Sequence, residues 1–197
     1  IDEIVEILQR NRTINYIRIS NSVKKMNNGD NEQNGSFSKW LNLTDVTFDS
    51  PSSLSLIGSY IFYNCESLTS IKIPSSVKII GSHAFYCCSS LKQVLFDDDS
   101  KLTEIGTSAF VGCKLLSKIK IPSSVKKIES SAFIECLALS EVLFNEMSCL
   151  ISIGNFVFSG CSSLQKITIP SSVNSIGDHA FSRCISLDEI LIPSSLS

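Results

Sequence analysis

Eight cysteines among 197 residues are the side chains best suited to chemistry, as metal ligands, disulfide partners or nucleophiles. Their spacing argues against all three. Cys65, Cys88, Cys113, Cys136, Cys161 and Cys184 recur at steps of 23 or 25 residues, so each holds the same place in a repeating unit. No Cys-x-x-Cys pair is present, and the adjacent Cys87 and Cys88 lack the separation of a metal-ligand pair. Buried cysteine behaves as a small apolar residue, so a structural ladder of unpaired interior thiols is expected. Cys87 and Cys149 fall outside that ladder and are expected near the surface.

The two histidines, His83 and His179, each stand two residues before a repeat phenylalanine, and no acid or nucleophile recurs beside them to form a triad. Asp97-Asp98-Asp99 is the densest acidic run, without the spaced ligands of a calcium loop, and reads as a solvated turn. Nothing here has the pattern of an enzyme, and no metal or cofactor is expected.

The elements that would position these residues are set by a repeat. An apolar-x-apolar step recurs at Ile17-Ile19, Val46-Phe48, Ile71-Ile73, Val94-Phe96, Ile119-Ile121, Val142-Phe144, Ile167-Ile169 and Ile190-Ile192. The intervals are 29, 25, 23, 25, 23, 25 and 23 residues, which implies a duplicated double turn of 48. A period in the twenties marks a solenoid, whose turns bury their apolar faces only by stacking. Within one turn the step alternates as a strand does, and Pro74 ends it because proline has no N–H for a ladder. Ser75-Ser76 then suits a turn, and Ile80-Gly81 a second corner. Phe85, Cys88 and Leu91 return the chain with inward residues every third position, which predicts a short α- or 3₁₀-helical segment.

The fuller pattern, Leu68-x-x-Ile71-x-Ile73-Pro74-x-Ser76-Val77-x-x-Ile80-Gly81-x-x-Ala84-Phe85-x-x-Cys88, resembles the BspA-like leucine-rich repeats. The likeness runs from Ile14 to Ile192. It implies an α/β repeat fold: a curved solenoid with a parallel β-sheet on the concave face and helical or irregular returns on the convex face. It also implies a cell-surface or secreted protein, with adhesion to host matrix or cell-surface proteins as its work. Glu129 departs from the pattern at the place of Gly81 and Gly106, and Val157 at that of Ala84, which questions local corners only.

The whole chain, 1–197, is expected to form one solenoid. Ile1, Ile4, Val5 and Leu8 lie at helical spacing, so residues 2–10 read as a helix within an N-terminal cap over 1–16. Residues 17–48 form a divergent first turn with a polar insertion at 27–36, expected as an exposed loop. Trp40 then falls on the place of Cys88 and should fill the interior. Six turns alternating 25 and 23 residues occupy 49–192, and 193–197 begin another. No polar cap closes that end, so continuation into further turns is expected, with self-association through it as the alternative.

A net charge of −2 gives no electrostatic reason to expect nucleic acid, and no apolar run approaches the length of a membrane span. A protein ligand is the expected partner. By strand parity its binding face comprises Lys72, Gln93, Leu95, Lys118, Lys120, Glu141, Leu143, Lys166, Thr168, Glu189 and Leu191, all pointing outward from the sheet. Lys118, Glu141, Lys166 and Glu189 alternate in sign on successive strands, while Leu95, Leu143 and Leu191 recur every second turn. Apolar groups ringed by charge suit a contact surface. An intracellular scaffold is the alternative, equally compatible with unpaired cysteines, and a structural spacer is a third reading. Asn34, in the sequon Asn34-Gly35-Ser36, is the best placed candidate for glycosylation.

Overall fold

Each Ile-x-Ile step folds as a strand because its branched side chains alternate between interior and surface. The computed structural model describes residues 13–194 and residue 196, and these residues contain fifteen strands and no helix. The first eight are β1 (Tyr16–Ile19), β2 (Lys25–Met26), β3 (Asp45–Phe48), β4 (Leu56–Ile57), β5 (Ser70–Ile73), β6 (Ile79–Ile80), β7 (Gln93–Phe96) and β8 (Glu104–Ile105). There follow β9 (Lys118–Ile121), β10 (Lys127–Ile128), β11 (Glu141–Phe144), β12 (Ser152–Ile153), β13 (Lys166–Thr168), β14 (Ser175–Ile176) and β15 (Glu189–Leu191). The helix expected over 2–10 lies outside the described residues.

All pairings are parallel, and the chain is a β-solenoid of about six turns. The two-residue strands form one continuous seven-stranded sheet from β2 to β14. The longer strands form the second layer, in two four-stranded halves, β1-β3-β5-β7 and β9-β11-β13-β15. Between the layers like residues stack on like. Phe37, Phe62, Phe85, Phe110, Phe133, Phe158 and Phe181 make a column of near-parallel rings with centroids 5.1 to 5.7 Å apart. Each buried ring contributes roughly 1.5–3 kcal/mol by leaving water. Trp40 packs edge-on against Phe37 at 5.2 Å and is half-buried.

The returns are not helical, contrary to the sequence expectation. Their three-residue spacing comes from successive tight turns, in which the N–H groups of Ala84, Tyr86 and Cys88 bond to the carbonyls of Gly81, His83 and Phe85. The alternate N–H groups of His83, Phe85 and Cys87 bond to Thr107, Ala109 and Val111 of the next turn, at 2.9, 2.8 and 2.7 Å. A helix aligns its N–H groups with its own axis and would offer none sideways. The observed arrangement satisfies both the turn and the stack, and therefore prevails. It places His83 (φ 57°) and Cys87 (φ 54°), with their counterparts in other turns, in the left-handed region.

The polar insertion is also narrower than expected. Gly29 and Phe37 occupy regular lateral positions, bonding to Ser59 O at 2.9 Å and Ile61 O at 3.0 Å, so the extra residues are 30–35. Residues 30–34 are exposed, but Gly29 and Gly35 are buried. A Cβ on Gly35 would fall 1.8 Å from the Tyr60 carbonyl oxygen, so only glycine allows this approach. At Glu129 the corner keeps its ladder, with the N–H 2.9 Å from Ile105 O, and Val157 is fully buried.

The two residues that separate long from short turns follow the strand. Pro74-Ser75-Ser76-Val77 closes with Val77 N–H bonded to Pro74 O at 3.0 Å. Asp97 to Leu102 instead makes a turn at Ser100 and a second bond from Leu102 N–H to Ser100 Oγ. The wider exit separates strands at each 25-residue step. There β3 and β5 pair only at Asp45↔Ser70 and Val46↔Ile71, and β11 and β13 only at Glu141↔Lys166. Between β7 and β9 the ladder is interrupted altogether.

Glu135 takes a left-handed φ of 56° where Gly112 and Gly160 stand in the turns on either side. Replacing Glu135 by glycine is expected to stabilise the chain by about 0.5–1 kcal/mol, after subtracting glycine's greater unfolded freedom. Thermal unfolding followed by circular dichroism should show a rise of about 1–4 °C.

Candidate functional site

The column of cysteines is inert by construction. Cys65, Cys88, Cys113, Cys136 and Cys161 are buried, Cys184 is partly so, and all eight thiols are free. Each column thiol donates to the carbonyl of a phenylalanine in the preceding turn: Cys88 to Phe62 at 3.1 Å, Cys113 to Phe85 at 3.3 Å, Cys136 to Phe110 at 3.2 Å. The Phe85 carbonyl also accepts the Cys88 N–H at 3.2 Å, so both its lone pairs are used. Burial pushes the Cys65 thiol up to about 12 and raises its column neighbours likewise. Thiolate, the reactive form, is therefore suppressed. Cys149 is exposed, and Cys87 is partly buried with its pKa also raised by desolvation.

The histidines are held by rings and gather no catalytic partners. His83 stacks on Tyr60 at 4.8 Å with an interplanar angle of 3°, and burial lowers its pKa. His179 stacks on Phe156 at 5.0 Å. Among the described residues no group of His, Cys, Asp and Glu has the arrangement of a metal site. Asp97 and Asp98 are ion-paired, to Lys72 at 2.9 Å and Lys120 at 2.8 Å, which the sequence reading of a solvated turn did not foresee.

The outward face of the longer strands is where polar and apolar side chains meet in an ordered array. Register sets Lys118 beside Glu141, Glu141 beside Lys166 and Lys166 beside Glu189. Two of these neighbours close into ion pairs, Lys118 to Glu141 at 2.7 Å and Lys166 to Glu189 at 2.8 Å. All four groups are about half exposed, so each pair contributes at most about 1 kcal/mol. The second outward row carries Lys72, Leu95, Lys120, Leu143, Thr168 and Leu191. Leu95 and Leu191 are 49% and 45% exposed, whereas Leu143 is half-buried. Gln93 is exposed at the start of β7. Asn34, on the opposite, return side of the first turn, is exposed in the insertion.

Sequence reasoning missed the clefts that open on this face. One lies at each 25-residue step, where the strands part: β3 with β5, β7 with β9, and β11 with β13. Their walls are the residues after the first strand and the proline turn after the second, as with Phe144 and Asn145 facing Pro170 and Ser171. The signal was present in the alternation of 23 and 25, had the two additional residues been placed after Phe48, Phe96 and Phe144.

Stacked parallel turns with this strand step define a leucine-rich-repeat solenoid. A family profile described as BspA type leucine rich repeat region matches residues 6–140 and 96–197, in six copies. The chain belongs to that family. Among solved structures it is similar to the leucine rich repeat protein of T. pallidum, at 34% identity and TM-score 0.59, over 63% of this chain and 58% of that one. It is similar to the pneumococcal vaccine antigen PcpA at 25% identity and TM-score 0.65, over 93% of this chain and 52% of the other. A leucine-rich repeat protein from Eubacterium ventriosum gives 25% identity and TM-score 0.65, over 94% and 50%. The chain thus spans only about half to three fifths of these proteins' lengths. Comparison with curated proteins gives no match.

With the column sealed, a thiol reagent should modify Cys149 rapidly, Cys87 more slowly, and the six column cysteines only as the chain unfolds. Ellman's titration with and without denaturant, with peptide mapping, checks this; fast reaction at Cys113 or Cys136 would contradict a closed column.

Proposed function

We propose that the outward face of the longer strands is a protein-binding surface, and that the chain is the binding segment of a cell-surface adhesin. The observation that carries this is the exposure of Leu95 and Leu191 on rigid strands otherwise lined by ion-paired charges. Exposed leucine ringed by polar groups loses apolar surface favourably on contact, while the charges select among partners. Lys72, Gln93, Lys118, Lys120, Glu141, Lys166, Thr168 and Glu189 form that polar frame, with Leu143 continuing the apolar row. Support for the surface location comes from the family and from the likeness to a vaccine antigen. Ligands of the host matrix or host cell surface fit this reading. Asn34 is a proposed glycosylation site on the return side, away from the binding face.

A second reading, an intracellular interaction scaffold, is favoured by one observation: eight free thiols suit a reducing compartment. Burial of most of them weakens its force, since sealed thiols survive in oxidising surroundings too.

Antibody labelling of intact, unpermeabilised source cells, with and without protease shaving, separates the two. Protease-sensitive label is expected; label seen only after permeabilisation would sink the adhesin reading. The face itself is tested with Leu95→Asp combined with Leu191→Asp. Both side chains are exposed, so the circular dichroism spectrum should be unchanged, while attachment of the purified chain to host cells and immobilised matrix proteins should fall at least about tenfold. Undiminished attachment would exclude this face.

A further inference from the structure

The three clefts differ in one respect that the repeat makes easy to isolate. Between β7 and β9 the cleft encloses about 310 Å³ and is crossed by Lys120, whose Nζ lies 2.8 Å from Asp98 Oδ1 on the far side. Between β3 and β5 it encloses about 350 Å³ and is lined by Lys72, paired with Asp97 at 2.9 Å. The third, between β11 and β13, encloses about 790 Å³, and there Thr168 stands where the other two have lysine. Its wall retains the acid: Glu146 occupies the place of Asp98, and among the described residues it forms no ion pair. Glu141 and Lys166 also line this cleft, but each is paired to a neighbouring strand.

We infer that the third cleft receives a cationic side chain, best an arginine, from a protein lying across the outward face. The inference rests on the protein-binding reading and names the anchor that reading needs. The chain itself shows the mode of binding: at the equivalent place it lays an aliphatic stem through the cleft and brings an ammonium to the opposite carboxylate. Where it omits its own lysine it keeps the carboxylate, and the space more than doubles. A ligand arginine would run its stem along Leu143 and Phe144 and bring its head to Glu146. Guanidinium suits this place better than ammonium because its several donors can reach the carboxylate and the nearby Asn145 amide together. The remaining volume admits the backbone on either side of the arginine. Arginine is also among the residues on which protein interfaces most depend.

The test is a titration of the ¹⁵N-labelled chain with acetyl-Gly-Arg-Gly-amide, followed by amide chemical shifts, with the glutamine peptide as neutral control. The arginine peptide is expected to shift the amides of Asn145, Glu146 and Thr168, saturating in the millimolar range, about −4 kcal/mol. About 0.5 M salt should weaken it. Glu146→Gln should reduce affinity about tenfold. Thr168→Lys, which restores the internal cation, should abolish the shifts. Both positions are exposed, so folding should be unaffected. Equal response to the glutamine peptide, no shift at these amides, or an undiminished response in Thr168→Lys would overturn the inference. Shifts confined to other outward residues, such as Lys72 or Lys118, would overturn the cleft while leaving the protein-binding face in place. Loss of that face in the leucine experiment would still leave peptide binding to the cleft measurable on its own.

Discussion

Everything in this molecule depends on each turn giving its backbone hydrogen bonds sideways to the next. The two-residue strands form one column of such bonds and the longer strands form another. The returns contribute a third, in which alternate N–H groups reach the following turn. With three columns of lateral bonds, the vertical spacing is set by the backbone, and side chains must stack at that spacing or not at all. Phenylalanine rings near 5 Å apart meet the requirement by offset stacking. Cysteine meets it differently, with a thiol small enough for the column and able to donate to the second lone pair of a buried carbonyl.

That third column also explains what could be read from the residues and what could not. The strands were legible because Ile-x-Ile has one inward and one outward assignment, and the register follows from the repeat length. Lys118, Glu141, Lys166 and Glu189 accordingly fall side by side. The returns were misread because inward residues every third position are common to a helix and to a chain of tight turns. The distinguishing feature is a left-handed backbone at His83, Ser108 and Ser131, residue types that do not announce it as glycine would. The second sheet was hidden for a related reason: strands of two residues are too short for alternation to show.

The outward face was legible in its composition but not in its relief. Parity places Leu95 and Lys120 on the surface, yet it does not say that a longer exit loop parts the strands beneath them. Relief comes from the two residues added after Phe48, Phe96 and Phe144, a change in loop length and not in strand sequence. A rigid flat sheet with clefts at regular intervals offers a partner both area and depth, and the charge inside each cleft is decided by one side chain on the neighbouring strand.

The duplication of 48 residues has a consequence for how such a chain can change length. Removing or adding one whole double turn brings every stacked column back into phase and repeats the same alternation of closed and parted strands. Removing a single turn would also preserve the ladder of backbone bonds, but it would set two parted steps, or two closed ones, in succession. Recombination between copies at the 48-residue spacing therefore yields longer or shorter proteins with the same surface rhythm, so reach can drift among descendants while the pattern met by a ligand stays constant.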